Sequence, residues 1–436
     1  MRQTNKKRVF PGSTGSFSRF GLSRPSSGRN FSRRNRSSGK SSFIDESKFI
    51  NKASEQNVMK YISKHKFVDF KIDERLKQNI IKKGFIHPTA IQDQTIPEIL
   101  NGKDIIGLAD TGTGKTAAFL VPFINKVILN KNHKVLIMAP TRELAIQINA
   151  EFAEFARSLG IFSVVAVGGE SIGRQISQLR RSHNFLIGTP GRLKDLSKRK
   201  FVNFNSFGSV ILDEADRMLD MGFIDDMKFI LDQLPKERQT LLFSATLSKD
   251  TESLTHRFLN NPLKIQTKLR DTSSNVDQDV IRINSNEEKI EALHNLLIEK
   301  DFKKVLIFVK TKIGADKLER ALGEKGFKVT SIHGDKRQSN RQRALKLFKE
   351  DQIQILVATD VAARGLDIPE VSHVINFDIP ATYDDYIHRI GRTGRAYNKG
   401  IALTFVSGIK KQPSKSFSGN KGIRRFSAPT YNRRNY

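Results

Sequence analysis

The 436-residue sequence predicts an α/β protein of two tandem lobes, each a parallel sheet covered by helices. Three observations carry this. Short apolar runs alternate with amphipathic helical patterns along most of the chain. The runs are continuous rather than alternating, as in strands buried on both faces. Finally, twelve such runs divide six and six around 268–279 (KLRDTSSNVDQD), a polar stretch without apolar periodicity that reads as an interdomain linker. The first six runs are 104–109 (DIIGLA), 134–139, 162–167, 184–188, 209–212 and 239–243. The second six are 280–283, 304–309 (KVLIFV), 328–332, 354–358, 373–376 and 400–406. A helical pattern at 72–83, stopped by Gly84, precedes the first series, and a bridging segment at 45–66, with helix around 55–64, precedes that.

Composition bounds the partners. Lys and Arg number 75 against 45 Asp and Glu, a net charge of +30 that points to a polyanion. Residues 1–44 hold eleven Lys or Arg and no acid, and 408–436 hold eight and no acid. Both tails are rich in Ser, Gly, Asn and Arg with scattered aromatics. Such composition buries too little apolar surface to offset ordering entropy, so both are expected to be disordered. Arg interleaved with rings suits loose single-strand binding, charge for phosphates and ring faces for bases. An organelle transit peptide is the rival for the N-terminal tail, but it lacks an apolar stripe, and the C-terminal tail shares its composition. Cys is absent, which excludes disulfides and thiolate sites. No run approaches the roughly 20 apolar residues of a membrane span. With no secretory signal either, a cytoplasmic protein without membrane contact is expected.

The stretch 108–116, LADTGTGKT, lies between an apolar run and the helical pattern at 117–129, the context a phosphate-binding loop requires. Backbone N–H groups of Ala109, Asp110, Thr111, Gly112, Thr113 and Gly114 can face a phosphate, and the following helix presents its positive end there. Lys115 would reach the outer phosphates, and the Thr116 hydroxyl would ligate the Mg²⁺ that neutralises them. Ala109 stands where such loops usually have their first glycine, so the turn must accept a methyl. A Gly/Thr-rich turn with an accidental Lys is the rival reading, and both flanks argue against it. About a hundred residues on, 210–216 reads VILDEAD, apolar strand residues followed by acids. An Asp at a strand's carboxyl end in the same lobe is placed to hold Mg²⁺, in part through water, and a neighbouring Glu to orient or deprotonate an attacking water. Asp213 takes the first role and Glu214 the second.

With these letters the chain resembles the DEAD-box ATP-dependent RNA helicases, a branch of the superfamily 2 helicases. The family's other motifs follow in order between Phe67 and Phe405: PTRELA at 140–145, GG at 168–169, TPGR at 189–192, SAT at 244–246, IHGD with QxxR at 332–341, ATDVAARGLD at 358–367 and HRIGRTGR at 388–395. The resemblance implies two RecA-like lobes, 67–267 and 280–407, with ATP and Mg²⁺ as cofactors. It places adenine recognition at 84–92 (GFIHPTAIQ), with Gln92 on the adenine edge. Phe67, 17 residues before Gly84, matches the family's isolated upstream aromatic, and Phe85 is expected to stack on the base. It makes Arg392 and Arg395 the arginine fingers of the second lobe. Gly365 and Asp367 lie where the family contacts the ribose. Ser244, Thr246 and His388 resemble the relay that couples the nucleotide cleft to the other lobe.

RNA contacts implied by the resemblance are Thr141, Arg142, Gly169, Thr189 and Arg192 in the first lobe, with Gln338, Arg341 and Thr359 in the second. Small hydroxyls, N–H groups beside glycine and guanidiniums read backbone rather than base. Arg337, where a small residue is commoner, adds charge beside them. The implied function is an RNA-dependent ATPase that closes two lobes on single-stranded RNA, pries short duplexes apart and remodels RNA–protein complexes. Ribonucleoprotein or ribosome-assembly proteins are expected partners, and the protein is expected to be a monomer. Three rivals stay open: a DNA helicase or translocase, a clamp that holds RNA without turnover, and a chaperone whose annealing resides in the tails.

Overall fold

A computed structural model describes residues 44–52, 61–110, 112–267, 275–299, 302–363, 371–394 and 399–407. The tails expected to be disordered lie outside the described residues, except Ile44.

Strands β1 (Ile105–Leu108), β2 (Val135–Met138), β3 (Ser163–Ala166), β4 (Phe185–Gly188), β5 (Ser209–Leu212), β6 (Gln239–Ser244) and β7 (Leu263–Gln266) form one sheet in the order β3-β4-β2-β5-β6-β1-β7. A second sheet joins β8 (Val276–Ile283), β9 (Val305–Val309), β10 (Val329–Ile332), β11 (Ile355–Thr359), β12 (His373–Asn376) and β13 (Gly400–Ser407) in the order β10-β11-β9-β12-β13-β8. Every pairing between these strands is parallel. The continuous apolar runs have their explanation in the cores. Ile137, Ile211 and Leu241 face one cluster of the first lobe, whereas their neighbours Leu136, Val210 and Leu242 face the other. Leu306, Leu356 and Val374 face one cluster of the second lobe, and Ile307, Val357 and Ile375 the opposite one. A side-chain period of two with both faces covered leaves no polar positions along the strand.

Two stretches differ from the sequence expectation. β7 carries no apolar run because it is an edge strand on which only Ile265 is buried. β8 begins at Val276, inside the stretch expected as linker at 268–279, and pairs with β13 over eight residues. Here Val276 and Gln278 point inward while Asp277 and Asp279 face solvent, and this alternation disguises an edge strand as polar connector. Residues 268–274 lie outside the described residues.

The bridging segment is seated at both of its ends. Asp45 caps a 3₁₀ turn at Glu46–Phe49, and its carboxylate accepts the Ser47 N–H at 3.0 Å. Phe49 is wholly buried in the second lobe's core. Asn51 exchanges both backbone hydrogen bonds with Gln278 (3.1 and 2.7 Å), antiparallel to the exposed edge of β8. At the other end the expected helix is absent over 61–64, and 53–60 lie outside the described residues. Instead Tyr61 Oη (2.6 Å), the Lys64 N–H (2.7 Å) and His65 Nδ1 (2.7 Å) converge on the buried Asp93 carboxylate, in helix Ala90–Leu100 of the first lobe. These contacts outweigh the carboxylate's burial and hold it below the usual range.

Below the amino ends of β2 and β5, His133 Nε2 lies 2.9 Å from Ser209 Oγ. Burial, with Lys126 nearby, pushes this imidazole down to about 4. The unfolded chain would take up its proton near 6.5, so this group removes stability as pH falls from about 6.5 to about 4. His133→Gln is expected to flatten the acid limb of a pH-dependent denaturation series in that window and leave stability above pH 7 nearly unchanged.

Candidate nucleotide and RNA site

The strand order assembles the site. β5, β6 and β1 are neighbours, with Leu108 opposite Ser244 and Leu212 opposite Leu242. The loops that leave their carboxyl ends, LADTGTGKT, DEAD and SAT, therefore stand side by side. On the other half of the rim, β3, β4 and β2 end in GG, TPGR and PTRELA. One sheet edge thus holds the three phosphate-side motifs in one half and the three candidate RNA motifs in the other.

In the phosphate loop, Lys115 opens helix Lys115–Leu129, and its ammonium donates to Ala109 O at 2.9 Å. Ala109 is buried, and its N–H continues the ladder to Ser244 O at 3.0 Å, so its methyl sits in the core. Thr113 Oγ1 donates to Asp110 O at 2.7 Å and tightens the turn. Gly114 has φ +93° and lies against Gln92, so a Cβ there would collide with Gln92 Nε2. Gln92 accepts the Thr89 N–H (2.9 Å) and donates to Gly114 O (2.9 Å). The residue expected on the adenine edge thereby ties the adenine segment to the phosphate loop. Gln92→Ala removes both bonds and is expected to weaken ATP binding roughly tenfold, about 1.4 kcal/mol. Fluorescent-nucleotide titration measures this, with RNA affinity in the absence of nucleotide as the unchanged reference.

Phe67 is buried in the core, edge-on to Phe70 (5.7 Å between centroids) and to Phe85 (5.8 Å). It offers no face to a base and instead supports the half-buried Phe85, which also packs edge-on to Phe155 at 5.7 Å. Thr111, Gly365, Asp367 and Arg395 lie outside the described residues.

The acids after β5 are buried together. Burial pushes the Asp213 carboxyl up to about 7; Lys115 opposes the shift, while Glu214 and Asp216 add to it. Asp213 Oδ1 accepts the Glu214 N–H at 3.0 Å. Glu214 sits at φ +51°, an uncommon backbone for a non-glycine residue, and its carboxylate receives Arg217 Nη1 at 2.9 Å. Burial raises Asp216, but Lys115, the Thr246 N–H and Arg217 outweigh it and hold its carboxyl low. Asp216 Oδ2 accepts the N–H groups of Ala245 (3.0 Å) and Thr246 (2.9 Å) and the Thr246 hydroxyl (3.2 Å). Ser244 Oγ donates to Thr246 O at 2.7 Å. The sequence analysis singled out neither Asp216, which joins the DEAD turn to the SAT loop, nor Arg217, which anchors Glu214. The fourth letter of DEAD and the basic residue after it were the available signals.

The candidate RNA residues of the first lobe also gather. Thr141 and Thr189 are the N-cap residues of helices Arg142–Phe155 and Pro190–Lys198. Arg142 packs on Gly168 and Gly169, and at Gly169 (φ +73°) a side chain would displace the guanidinium. Arg192 Nη1 donates to Gln175 Oε1 at 2.9 Å, and Gln175 Nε2 to Val167 O at 2.8 Å, which fixes the arginine over the rim. Gln175 was a further residue the sequence did not mark. In the second lobe, Thr359 ends β11 and is buried. Arg341 Nη2 meets Glu143 of PTRELA at 2.9 Å, and Gln338 Nε2 meets the same carboxylate at 3.1 Å, so this acid links the two groups of candidate RNA residues. His388 and Arg392 line a small pocket of the second lobe beside Phe308, Asp360 and Arg389.

Residues 89–254 match the DEAD/DEAH box helicase family, and 288–397 match the helicase conserved C-terminal domain. The chain is 44% identical over 343 residues to the ATP-dependent RNA helicase CshA of Listeria monocytogenes, a match that covers 78% of this chain and 66% of that relative. The solved structure of S. cerevisiae Dbp5 bound to RNA and ADP BeF3 is 31% identical, with 78% of this chain and 89% of that chain covered and a TM-score of 0.69. The ordered motifs, both family domains and these similarities agree: the chain belongs to the DEAD-box family of ATP-dependent RNA helicases.

Proposed function

We propose that this protein is an RNA-dependent ATPase that locally unwinds short RNA duplexes and remodels RNA–protein complexes through ATP-driven closure of its two lobes on single-stranded RNA. The observation that carries the reading is the divided rim of the first sheet, where phosphate-side and RNA-side motifs share one edge and Asp216 ties the DEAD turn to the SAT loop. Lys115 and Arg392 offset charge on the transferred phosphoryl group, and Glu214 orients the attacking water and takes its proton. Among the described residues no three His, Cys, Asp or Glu side chains gather as a metal cage. An ion here is therefore completed by phosphate and water, which suits Mg²⁺. A buried carboxyl raised to about 7 beside a threonine-bearing loop fits such an ion, which would hold Asp213 ionised. Asp213 and Thr116 would hold it, and it would neutralise the outer phosphates. By linkage ATP and RNA favour each other's binding. Among the described residues no helix is long and apolar enough to cross a membrane. That is compatible with a cytoplasmic monomer acting on RNA and ribonucleoprotein or ribosome-assembly partners.

The test is Mg²⁺-dependent ATP hydrolysis with single-stranded RNA, single-stranded DNA or neither. Stimulation by RNA supports the reading, and strand separation on a short duplex extends it. Hydrolysis indifferent to RNA, or better stimulated by DNA, removes it.

A further inference from the structure

We propose that Phe49 is a positioning residue for ATP hydrolysis, acting from the bridging segment through helix Tyr383–Ile390 on Arg392. The inference rests on the reading of Arg392 as an arginine finger. Phe49 is separated from that helix by more than 300 residues of sequence, yet its ring centroid lies 4.7 Å from that of Tyr386, and both side chains are fully buried. Tyr386 Oη donates to Gln278 Oε1 at 3.0 Å, and the Gln278 backbone is the group that pairs with Asn51. Phe49, Asn51, Gln278 and Tyr386 therefore close one ring of contacts between segment, edge strand and helix. Two flanking contacts hold the same segment: Lys48 Nζ lies 5.3 Å from the Tyr383 ring, and Arg282 Nη2 is 3.3 Å from Glu46 Oε2.

The helix is pinned on its other side as well. Arg389 donates to both oxygens of Asp360 (2.6 and 2.7 Å), to Asn376 Oδ1 (3.1 Å) and to Asp378 O (2.6 Å). Arg392 follows directly, its N–H donating to Arg389 O at 3.2 Å and its carbonyl accepting the Val371 N–H at 3.2 Å. Along the helix, Tyr386, Arg389 and Ile390 form one buried face. Residues 44–51 hold one end of that face and the Arg389 contacts hold the other. Without Phe49 the Tyr386 ring loses its packing partner and the helix can shift under Arg392. Because a guanidinium must meet the transition state within a fraction of an ångström, a small shift lowers turnover without changing ground-state binding.

The experiment measures RNA-stimulated ATPase, ATP KM and RNA affinity for the full chain as wild type, Phe49→Ala, Arg392→Ala and the double variant, normalised to sites that bind a non-hydrolysable ATP analogue with RNA. A tenfold or greater fall in kcat for Phe49→Ala is expected, with KM and RNA affinity within twofold. Phe49→Leu is expected to recover part of the rate, and Phe49→Ala to have no further effect in the Arg392→Ala background. An unchanged kcat in Phe49→Ala, or a full additional fall in the double variant, overturns the proposal. Should Phe49→Ala not fold, Phe49→Leu and Tyr386→Phe carry the same test with smaller falls in kcat, and their absence overturns it equally. A wild type without RNA-stimulated hydrolysis is a different result, one that fails the functional reading itself.

Discussion

Arg392→Ala is expected to lower RNA-stimulated ATP turnover by about 10³-fold or more, with ATP and RNA affinities nearly unchanged. An arginine finger meets charge that develops only in the transition state, so its loss falls on kcat rather than on binding. The structure gives this arginine an unusually well-fixed root. It is 4% exposed and follows a helix whose Arg389 makes four hydrogen bonds to Asp360, Asn376 and Asp378. Arg392→Lys keeps the charge but loses the planar fork, and its rate is expected to remain far below wild type. Steady-state kinetics at saturating RNA measure both variants. A fall of less than tenfold for Arg392→Ala would remove this residue from the transition state.

Glu214→Gln is expected to lower turnover by about 10²- to 10⁴-fold while leaving ATP-dependent RNA binding in place. The substitution is isosteric and keeps an oxygen for Arg217, whose guanidinium lies 2.9 Å from the carboxylate. What it removes is the site that takes the water's proton. Bound ATP then persists, so filter binding should show ATP-dependent RNA complexes that outlive those of the wild type. Turnover within a few-fold of wild type would place the base elsewhere.

The sheets were legible because they are buried on both faces. All six apolar runs of the first lobe correspond to strands β1–β6, and the second-lobe runs to β8–β13. Legibility failed where a strand lies at an edge: β7 exposes Leu263, Lys264 and Gln266, and β8 presents Asp277 and Asp279 to solvent. The site divides in the same way. Lys115, Asp213 and Arg192 sit in ordered motifs, whereas Gln175 is an isolated polar residue whose value comes from the partner it meets across the fold. Phe67 was misread because an aromatic's letter does not say whether it faces a ligand or its own core. Phe49 gave no signal at all, being one ring in a polar segment with no local periodicity and a seat far away in sequence.

That seat also sets an order of events during synthesis. The segment containing Phe49 emerges from the ribosome before either lobe, but Tyr386 and β13, against which its site is built, are made almost last. At usual elongation rates, on the order of 20–70 s pass between Phe49 and Tyr386. During that interval the first lobe can complete its own sheet, whereas the opening segment has nothing to dock on. The last strand of the chain therefore finishes a structure begun by its first ordered residues, and the second lobe matures only when both ends of the protein meet.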